Sequence, residues 1–395
     1  MTSPNITKIC SAPWVSLAIN ADKSFSLCCN TLLDINVGSW DEFSILEVFQ
    51  SADLSHYRSQ FLKGSYEKAC KGCYADEESN LQSKRDEYIK SYRFEPSQQA
   101  FAYSDIKRLE LFLSNKCNFN CRTCGSFFST SWNKDNLALS RDTFIHKPPT
   151  QKQMKELLEI SKSLDSIYIA GGEPLICQEL YLLLESFVKF NNECNITINT
   201  NLSTLQFQRF DLLSYIEELP NLNLNISLDG LYEKGEYIRN GLNFNRLETY
   251  LDQLSTTKVK VSFIITVSIL NILDIDKIIL YIVKSQPIQN FSIEINFVQD
   301  PSFYNIQILP DPVKSLIIAS LYSSIIEFNL SPKLKYHSYK LLSICTFLKV
   351  SNNLSNLSSF YHEVSKIDQL RKQSFETTFP ELSATLNSYK RKKPE

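Results

Sequence analysis

The sequence of 395 residues is poor in glycine, in histidine and in net charge. Its nine glycines are far fewer than the roughly 7% that is average for proteins, so few loops can depend on unrestricted backbone. Lysine and arginine number 41 against 43 acidic residues, a net charge of −2, which argues against nucleic acid as a partner. The four histidines share no ligand spacing, and we assign none to metal: His56, His146, His337 and His362.

The sequence shows no long hydrophobic run, and its first residues do not resemble a secretory leader. The most apolar run, Val259–Leu273, contains Lys260 and Asn271 and is shorter than the roughly 20 apolar residues of a membrane-spanning helix. The first residues lack the basic and apolar segments of a signal peptide. We therefore expect a cytoplasmic protein with no membrane partner. A content of 43% hydrophobic and 21% charged residues predicts a globular chain with a sizeable core.

Cysteine, in contrast, is abundant. Because structural disulfides are rare in the cytoplasm, eleven cysteines favour metal binding. The cysteines fall into an early group, a central group and three isolated residues, the last expected to be buried as small hydrophobes. These are Cys10, Cys28, Cys29, Cys70 and Cys73; Cys117, Cys121 and Cys124; and Cys177, Cys194 and Cys345.

The chain from Lys107 onward alternates short β-branched or aromatic runs with longer amphipathic stretches, which is typical of repeated βα units and a parallel sheet. Six strands are predicted: 108–113, 166–170, 195–200, 223–228, 259–267 and 291–298. The predicted fold is α/β, a partial (β/α)6 TIM-like barrel with a small N-terminal cysteine-rich domain and a C-terminal helical extension. The predicted bounds are 1–95 for the cysteine-rich domain, 100–301 for the barrel core and 302–395 for the extension.

The central cysteines follow the first predicted strand in the pattern C-x-x-x-C-x-x-C, Cys117 to Cys124. In barrel-like sheets the carboxyl ends of the strands carry the chemistry. Three thiolates can each hold one corner of a [4Fe-4S] cluster and leave the fourth iron open. The alternative is structural zinc, but such a site needs a fourth cysteine or histidine, and none lies close in sequence.

A second motif, Gly171-Gly172-Glu173-Pro174, follows the second predicted strand. Its two glycines leave the backbone accessible to a ligand, and Glu173 offers an acceptor for an ammonium group. Alone, the motif indicates only a turn. One βα unit after the three-cysteine loop, it indicates a ligand site.

Together the two motifs resemble the radical S-adenosylmethionine (SAM) superfamily, over Lys107 to about Pro301. The resemblance implies that the three cysteines hold a [4Fe-4S] cluster whose open iron is chelated by SAM, and that the Gly171–Pro174 loop binds the SAM amino group. It also implies reductive cleavage of SAM to methionine and a 5′-deoxyadenosyl radical, with flavodoxin or ferredoxin as electron donor and a peptide or small molecule as substrate. Further implied SAM contacts, for which loop capping is the alternative, are Asn199, Asn201, Ser227 and Arg239.

The N-terminal cysteines resemble the auxiliary-cluster "twitch" domain, a shortened relative of the SPASM domain. The resemblance rests on the Cys28-Cys29 pair after a predicted hairpin and on Cys70-x-x-Cys73. It implies a second [4Fe-4S] cluster held by Cys10, one of Cys28 and Cys29, Cys70 and Cys73. Structural zinc is the alternative, because four cysteines also close a tetrahedral zinc site. The competing function is a non-catalytic metal-binding scaffold.

Overall fold

The computed structural model describes residues 9–31, 34–64, 70–78, 82–97, 100–350 and 357–390. The chain divides into two compact units. The first comprises Met1–Lys116, Ile145–Thr200 and Thr204–Leu224, and the second Cys117–Phe144, Asn201–Ser203 and Asn225–Glu395.

The strands and helices of the described residues are numbered in chain order. The strands are β1 (Ser16–Ile19), β2 (Phe25–Ser26), β3 (Arg108–Phe112), β4 (Ser166–Ala170), β5 (Asn195–Thr200), β6 (Gln206–Phe207), β7 (Phe210–Asp211), β8 (Leu222–Ser227), β9 (Lys260–Val267) and β10 (Phe291–Phe297). The α-helices are α1 (Ala12–Val15), α2 (Ile45–Phe49), α3 (Ala52–Leu62), α4 (Lys71–Glu78), α5 (Lys84–Ser91), α6 (Trp132–Ala138), α7 (Gln151–Ile160), α8 (Gln178–Phe190), α9 (Leu212–Glu218), α10 (Tyr232–Ile238), α11 (Phe244–Ser255), α12 (Ile275–Lys284), α13 (Asp311–Leu330), α14 (Ser338–Lys349), α15 (Leu357–Arg371), α16 (Phe375–Thr378) and α17 (Pro380–Lys390).

The first unit contains a sheet in the order β2-β1-β3-β4-β5. Its strands are parallel except for the β1–β2 hairpin. Four of the five residues of β3 are buried, as are four of the five of β4, because both faces of a parallel sheet are covered. Helix α8 presents apolar residues at three- and four-residue spacing to this core: Leu180, Leu183, Leu184 and Phe187.

The N-terminal hairpin extends the same sheet. Strand β1 pairs in parallel with β3, with Leu17 opposite Leu109. The predicted domain boundary near residue 95 therefore lies inside the first unit, and the three-domain division stays a prediction.

The second unit contains the parallel pair β9 and β10, with Phe263 opposite Ile293 and Ile265 opposite Ile295. Strand β9 alternates buried and more exposed side chains, as expected for a strand with one face on the core. Helices α13 and α14 pack against each other, and α15, α16 and α17 follow.

All six predicted strands are present, each within one residue of its predicted bounds. The α/β fold class and the helical C-terminal region are confirmed.

Helix α13 is long and apolar enough, by length and composition alone, to cross a membrane, and 33% of its apolar window is buried. Core helices of soluble proteins can pass the same test. The expectation of no membrane partner stays a prediction.

Candidate functional site

Four of the five N-terminal cysteines line one cavity in the first unit: Cys10, Cys28, Cys70 and Cys73. Cys10 precedes α1 and Cys28 follows β2. Cys70 precedes α4 and Cys73 lies in its first turn, so their three-residue spacing places them on one side of the helix. The structure thus brings together thiols that are up to 63 positions apart in the sequence.

Burial raises the thiol pKa of Cys10, Cys28 and Cys73, so these three thiols are protonated in the absence of a metal. The pKa of Cys10 is raised to about 12, chiefly by burial and also by the neighbouring Cys73 and Cys70, while a backbone hydrogen bond from Ala12 lowers it. Cys28 has its pKa raised by burial and then by nearby acidic groups, including Cys10. Iron-sulfur clusters bind thiolates, so cluster binding would release these protons. The donor set of this cavity fits a cluster with four cysteine ligands.

Cys29 lies in different surroundings and is not among the residues that line this cavity. Its backbone N–H donates to the Glu110 carboxylate. Burial raises the pKa of the Cys29 thiol, and the negative charge of Glu110 raises it further. The two adjacent cysteines therefore have different environments.

Glu110 is the centre of a buried charged network behind the N-terminal cysteines. Its side chain is fully buried, with Lys84 Nζ at 3.2 Å and Arg108 Nε at 3.0 Å from Oε1. Burial alone would raise the Glu110 pKa, but the charges of Lys84 and Arg108 lower it to about 2. Lys84 also lines the cavity. The network therefore places an ionised carboxylate, whose charge is balanced by Lys84 and Arg108, next to the cavity that the four cysteines line.

The Gly171–Pro174 loop, also in the first unit, is shaped by close approach to its own chain. Gly171 and Gly172 have φ of +84° and +54°, a region that L-residues seldom occupy. A Cβ on Gly172 would lie 2.2 Å from the Lys116 carbonyl oxygen, and the Glu173 N–H donates to that same oxygen at 2.8 Å. Glycine is required here because the loop packs on the backbone that leads to the three-cysteine motif.

The Glu173 carboxylate is turned into the protein. Its side chain is fully buried, and Oε1 accepts hydrogen bonds from the Leu175 N–H at 3.0 Å and the Thr200 hydroxyl at 2.7 Å. The first contact caps the short helical turn after Pro174. Glu173 therefore has a clear role in holding this loop, and its predicted contact with an ammonium group stays a prediction.

In the second unit, the three central cysteines lie in a loop before α6. The Cys124 N–H donates to the Cys121 carbonyl at 3.1 Å, and the Phe119 N–H points at Cys117 Sγ at 3.4 Å. Burial raises the pKa of Cys124 to about 12, with added contributions from the Cys121 and Cys117 thiols. The three thiols are therefore close enough to influence one another electrostatically.

Arg239 is a buried cation close to this loop. Its Nη1 donates to Asp229 Oδ2 at 2.7 Å, whereas its buried Nε has no hydrogen-bond partner. Burial opposes its charge, but the Cys121 thiol and the Asp229 carboxylate raise its pKa above the ordinary value. A buried, unsatisfied guanidinium N–H is costly unless a ligand accepts it. Arg239 therefore fits an anionic ligand beside the cysteines.

The other predicted SAM contacts are placed as follows. Asn201 Nδ2 lies 3.1 Å from Asn118 Oδ1 and 3.9 Å from Cys117 Sγ, so it borders the three-cysteine loop in the second unit. Ser227 is half-buried at the end of β8, and Asn199 is half-buried near the end of β5 in the first unit. Their assignment to SAM stays a prediction.

No group of three or more histidine, cysteine or acidic side chains among the described residues could hold a single metal ion. In a cubane cluster each thiolate binds a different iron, so its ligands need not converge on one point. The isolated cysteines are buried, as predicted: Cys177, Cys194 and Cys345.

Known protein families match the two regions that carry cysteine groups. Residues 111–282 match the radical SAM superfamily, and residues 10–74 match the SPASM iron-sulfur cluster-binding domain. The chain therefore contains a radical SAM domain, with a SPASM domain on its N-terminal side. A radical SAM domain indicates an enzyme that uses a [4Fe-4S] cluster and SAM, and the SPASM domain points to an auxiliary cluster.

Among individual relatives, GTP 3′,8-cyclase of Campylobacter lari is 29% identical over 129 residues, 32% of this chain and 36% of that protein. The enzyme of the same name from Sulfurovum sp. is 28% identical over 127 residues, 32% of this chain and 35% of that protein. The chain therefore spans just over a third of the length of these relatives.

Solved structures with a similar arrangement include Streptococcus suis SuiB bound to S-adenosylmethionine, with 15% identity, 71% of this chain and 60% of that chain covered, and a TM-score of 0.40. Another is BtrN in complex with AdoMet and 2-DOIA, with 19% identity, 40% and 56% covered, and a TM-score of 0.24.

Two acidic residues near the cysteine groups were not predicted from the sequence: Glu110, which accepts the Cys29 N–H, and Asp229, which pairs with Arg239. Glu110 had a signal, because an acidic residue inside the apolar run RLELFL is expected to be paired if it is buried. Asp229 had none, since an aspartate after a strand is also a common turn residue.

Proposed function

We propose that this protein cleaves SAM reductively and uses the resulting radical to abstract hydrogen from a peptide or small-molecule substrate in the cytoplasm. The bound [4Fe-4S] cluster and SAM supply the chemistry, giving methionine and a 5′-deoxyadenosyl radical when an external donor such as flavodoxin or ferredoxin provides an electron. The observation that carries the proposal is the buried, unpartnered Nε of Arg239 beside the three-cysteine loop.

Arg239 would bind the SAM carboxylate. Guanidinium groups form short, charge-assisted hydrogen bonds with carboxylates, and Nε is the atom left without a protein acceptor. Asp229 holds the opposite side of the guanidinium through Nη1, which fixes the direction of the remaining donor. The side chain is therefore oriented before any ligand arrives.

Cys117, Cys121 and Cys124 would hold the cluster that binds SAM. Burial disfavours the free thiolates of Cys121 and Cys124, and the positive charge of Arg239 partly offsets this for Cys121. Three cysteines leave one iron of a cubane without a protein ligand. The chain thus supplies three cysteine ligands and, in Arg239, an adjacent cation with an unpartnered N–H, which suits a ligand with both an iron-binding group and a carboxylate.

Cys10, Cys28, Cys70 and Cys73 would hold the auxiliary cluster. Four thiols in one cavity can satisfy all four irons of a [4Fe-4S] cluster. We therefore assign this cluster to electron transfer and not to substrate binding through an open iron. Cys29 would not be a ligand, since its backbone and thiol face Glu110.

Anaerobic reconstitution with iron and sulfide tests the proposal. The wild type should bind about eight irons per chain and form 5′-deoxyadenosine from SAM and dithionite. A Cys117/Cys121/Cys124→Ala variant should keep about four irons and form none. A wild type that carries both clusters, is reduced and is exposed to SAM, yet forms no 5′-deoxyadenosine, would refute the proposal and favour a non-catalytic scaffold.

A further inference from the structure

The C-terminal end of helix α15 carries side chains that reach the three-cysteine loop within the second unit. Asp368 Oδ1 accepts hydrogen bonds from Arg122 Nη2 and from the Tyr237 hydroxyl at 2.7 Å. Its other oxygen accepts the Phe375 N–H at 2.6 Å. Arg122 lies between Cys121 and Cys124 and is fully buried. A residue 246 positions away thus neutralises the cation inside the cluster-binding motif.

Arg371, one turn further along α15, contacts two side chains of α6, Asp135 and Trp132. Its Nε and Nη2 donate to Asp135 Oδ2 at 2.9 and 2.7 Å, and Asn120 Nδ2 donates to the same oxygen at 2.7 Å. The guanidinium also lies 4.7 Å from the ring centre of Trp132, whose Nε1 donates to the Cys121 carbonyl at 2.9 Å. Arg371 therefore holds two side chains that contact the loop.

Gln373 ties the loop to the segment that carries Arg239. Its Oε1 accepts from Arg122 Nη2 at 2.8 Å, and its Nε2 donates to Asn240 Oδ1 at 3.1 Å. Asn240 Nδ2 donates to Asn120 Oδ1 at 2.6 Å, and the Asn120 N–H donates to the Asn240 carbonyl at 3.0 Å. The loop and the residue after Arg239 are therefore held by the same C-terminal side chain.

The charges in this contact are balanced and shielded from water. Arg122 and Asp368 have side-chain exposures of 0% and 14%, and Arg371 and Asp135 have 5% and 9%. Removing one member of a buried pair leaves an uncompensated charge in a medium of low dielectric. The charge of Arg371 already acts on the Cys121 thiol, so a change in this balance would be felt at the cluster ligands.

We propose that Asp368 and Arg371 are positioning residues that hold the three-cysteine loop and, by balancing Arg122, keep the reduction potential of its cluster low. The inference rests on the proposed function, because it assumes that the loop holds a redox-active cluster. Reduction adds negative charge to the cluster, so an unbalanced Arg122 would stabilise the reduced form. Loss of the Asp368 charge would therefore raise the potential and weaken the driving force for SAM cleavage.

Asp368→Asn tests this inference, because it removes one charge and keeps the side-chain size. In the reconstituted enzyme, a redox titration followed by EPR should show a midpoint raised by about 59 mV or more, a tenfold change in a one-electron equilibrium. In the cluster-free protein, the Asn120 and Arg122 amide protons should exchange with solvent at least tenfold faster. Glu376→Gln is the control: it removes the same charge from α16, where the Glu376 side chain is exposed, and should change neither quantity.

A second variant separates position from charge. Arg371→Lys keeps the positive charge but loses the two-nitrogen contact with Asp135, so exchange should accelerate while the potential stays near that of the wild type. If Asp368→Asn does not fold, the exchange rates of the Asn120 and Arg122 amide protons in Arg371→Lys test whether the C-terminal residues hold the loop. The inference would be overturned by wild-type exchange rates in the folded, cluster-free variants, or by a wild-type potential in cluster-loaded Asp368→Asn. A wild type that binds no cluster in this loop would instead overturn the proposed function.

Discussion

Replacing Cys28 and Cys29 one at a time compares two adjacent thiols that lie in different surroundings. Cys28 lines the cavity with three other cysteines, whereas Cys29 faces the buried Glu110 carboxylate. The sequence alone leaves the choice between them open. Cys28→Ala should remove a ligand of the auxiliary cluster, and Cys29→Ala should leave all four ligands in place.

The expected difference is clearest in a background without Cys117, Cys121 and Cys124. There only the auxiliary cluster binds, at about four irons per chain. Cys28→Ala should lose most of this iron on gel filtration, and Cys29→Ala should keep it. The backbone N–H that Cys29 donates to Glu110 survives the substitution, so the stability cost should be about 1 kcal/mol for the lost thiol contact.

Iron and sulfide analysis and the visible absorption of the cluster measure this outcome. Cys345→Ala is a matched control, because it truncates a buried but isolated cysteine and should cost stability without loss of iron. Equal iron in the two single variants, or loss of iron in Cys29→Ala alone, would refute the assignment of Cys28.

Three further predictions concern groups whose environments are equally specific. Glu110→Gln should lower the free energy of unfolding by about 2 kcal/mol, because Lys84 and Arg108 lose their shared buried carboxylate and keep only the more exposed Glu87 as an acidic partner. In the wild type this stabilisation is present above the unfolded carboxyl pKa of about 4.3 and is lost as pH falls toward 2, so equal acid unfolding curves would contradict it. Gly172→Ala should lower the free energy of unfolding, measured in urea, by at least about 2 kcal/mol, because Gly172 has a positive φ and an added Cβ would collide with the Lys116 carbonyl. Gly72→Ala is the control: its added Cβ would meet nothing within 4 Å, so this substitution should be neutral or slightly stabilising. Arg239→Lys keeps the positive charge beside Asp229 but removes the unpartnered Nε. It should weaken SAM binding, measured by calorimetry, about tenfold, or 1.4 kcal/mol, and should leave the iron content unchanged. An unaltered SAM affinity would show that Nε does not contact SAM.

The strands and the cysteine motifs were accessible from the sequence because both are local signals. Runs such as SIYIA and NITINT are β-branched and bounded by polar residues, and the structure forms β4 and β5 over those ranges. The family resemblance followed from cysteine spacing and from one short glycine motif, which also need only a few adjacent residues.

The partners of these motifs were not accessible, since they depend on contacts between distant parts of the chain. Nothing near Arg122 indicates that Asp368 neutralises it, because 246 residues separate them. The direction of a side chain in a loop is likewise not periodic, so adjacent Cys28 and Cys29 could not be told apart. The contact of Gly172 with the Lys116 backbone was likewise not accessible, and the predicted approach of this loop to a ligand stays a prediction.

The pairing of β1 with β3 also bears on whether the radical SAM region could exist without the N-terminal residues. Strand β3 lies between β1 and β4, and Leu109 and Leu111 are both buried. Deleting the N-terminal hairpin would turn β3 into an edge strand with unpaired N–H and C=O groups, a template for aggregation. The SPASM region therefore pairs with the edge of the sheet at β3 as well as carrying the four cysteines. A truncation designed to isolate the radical SAM region would require a solubilising replacement for β1.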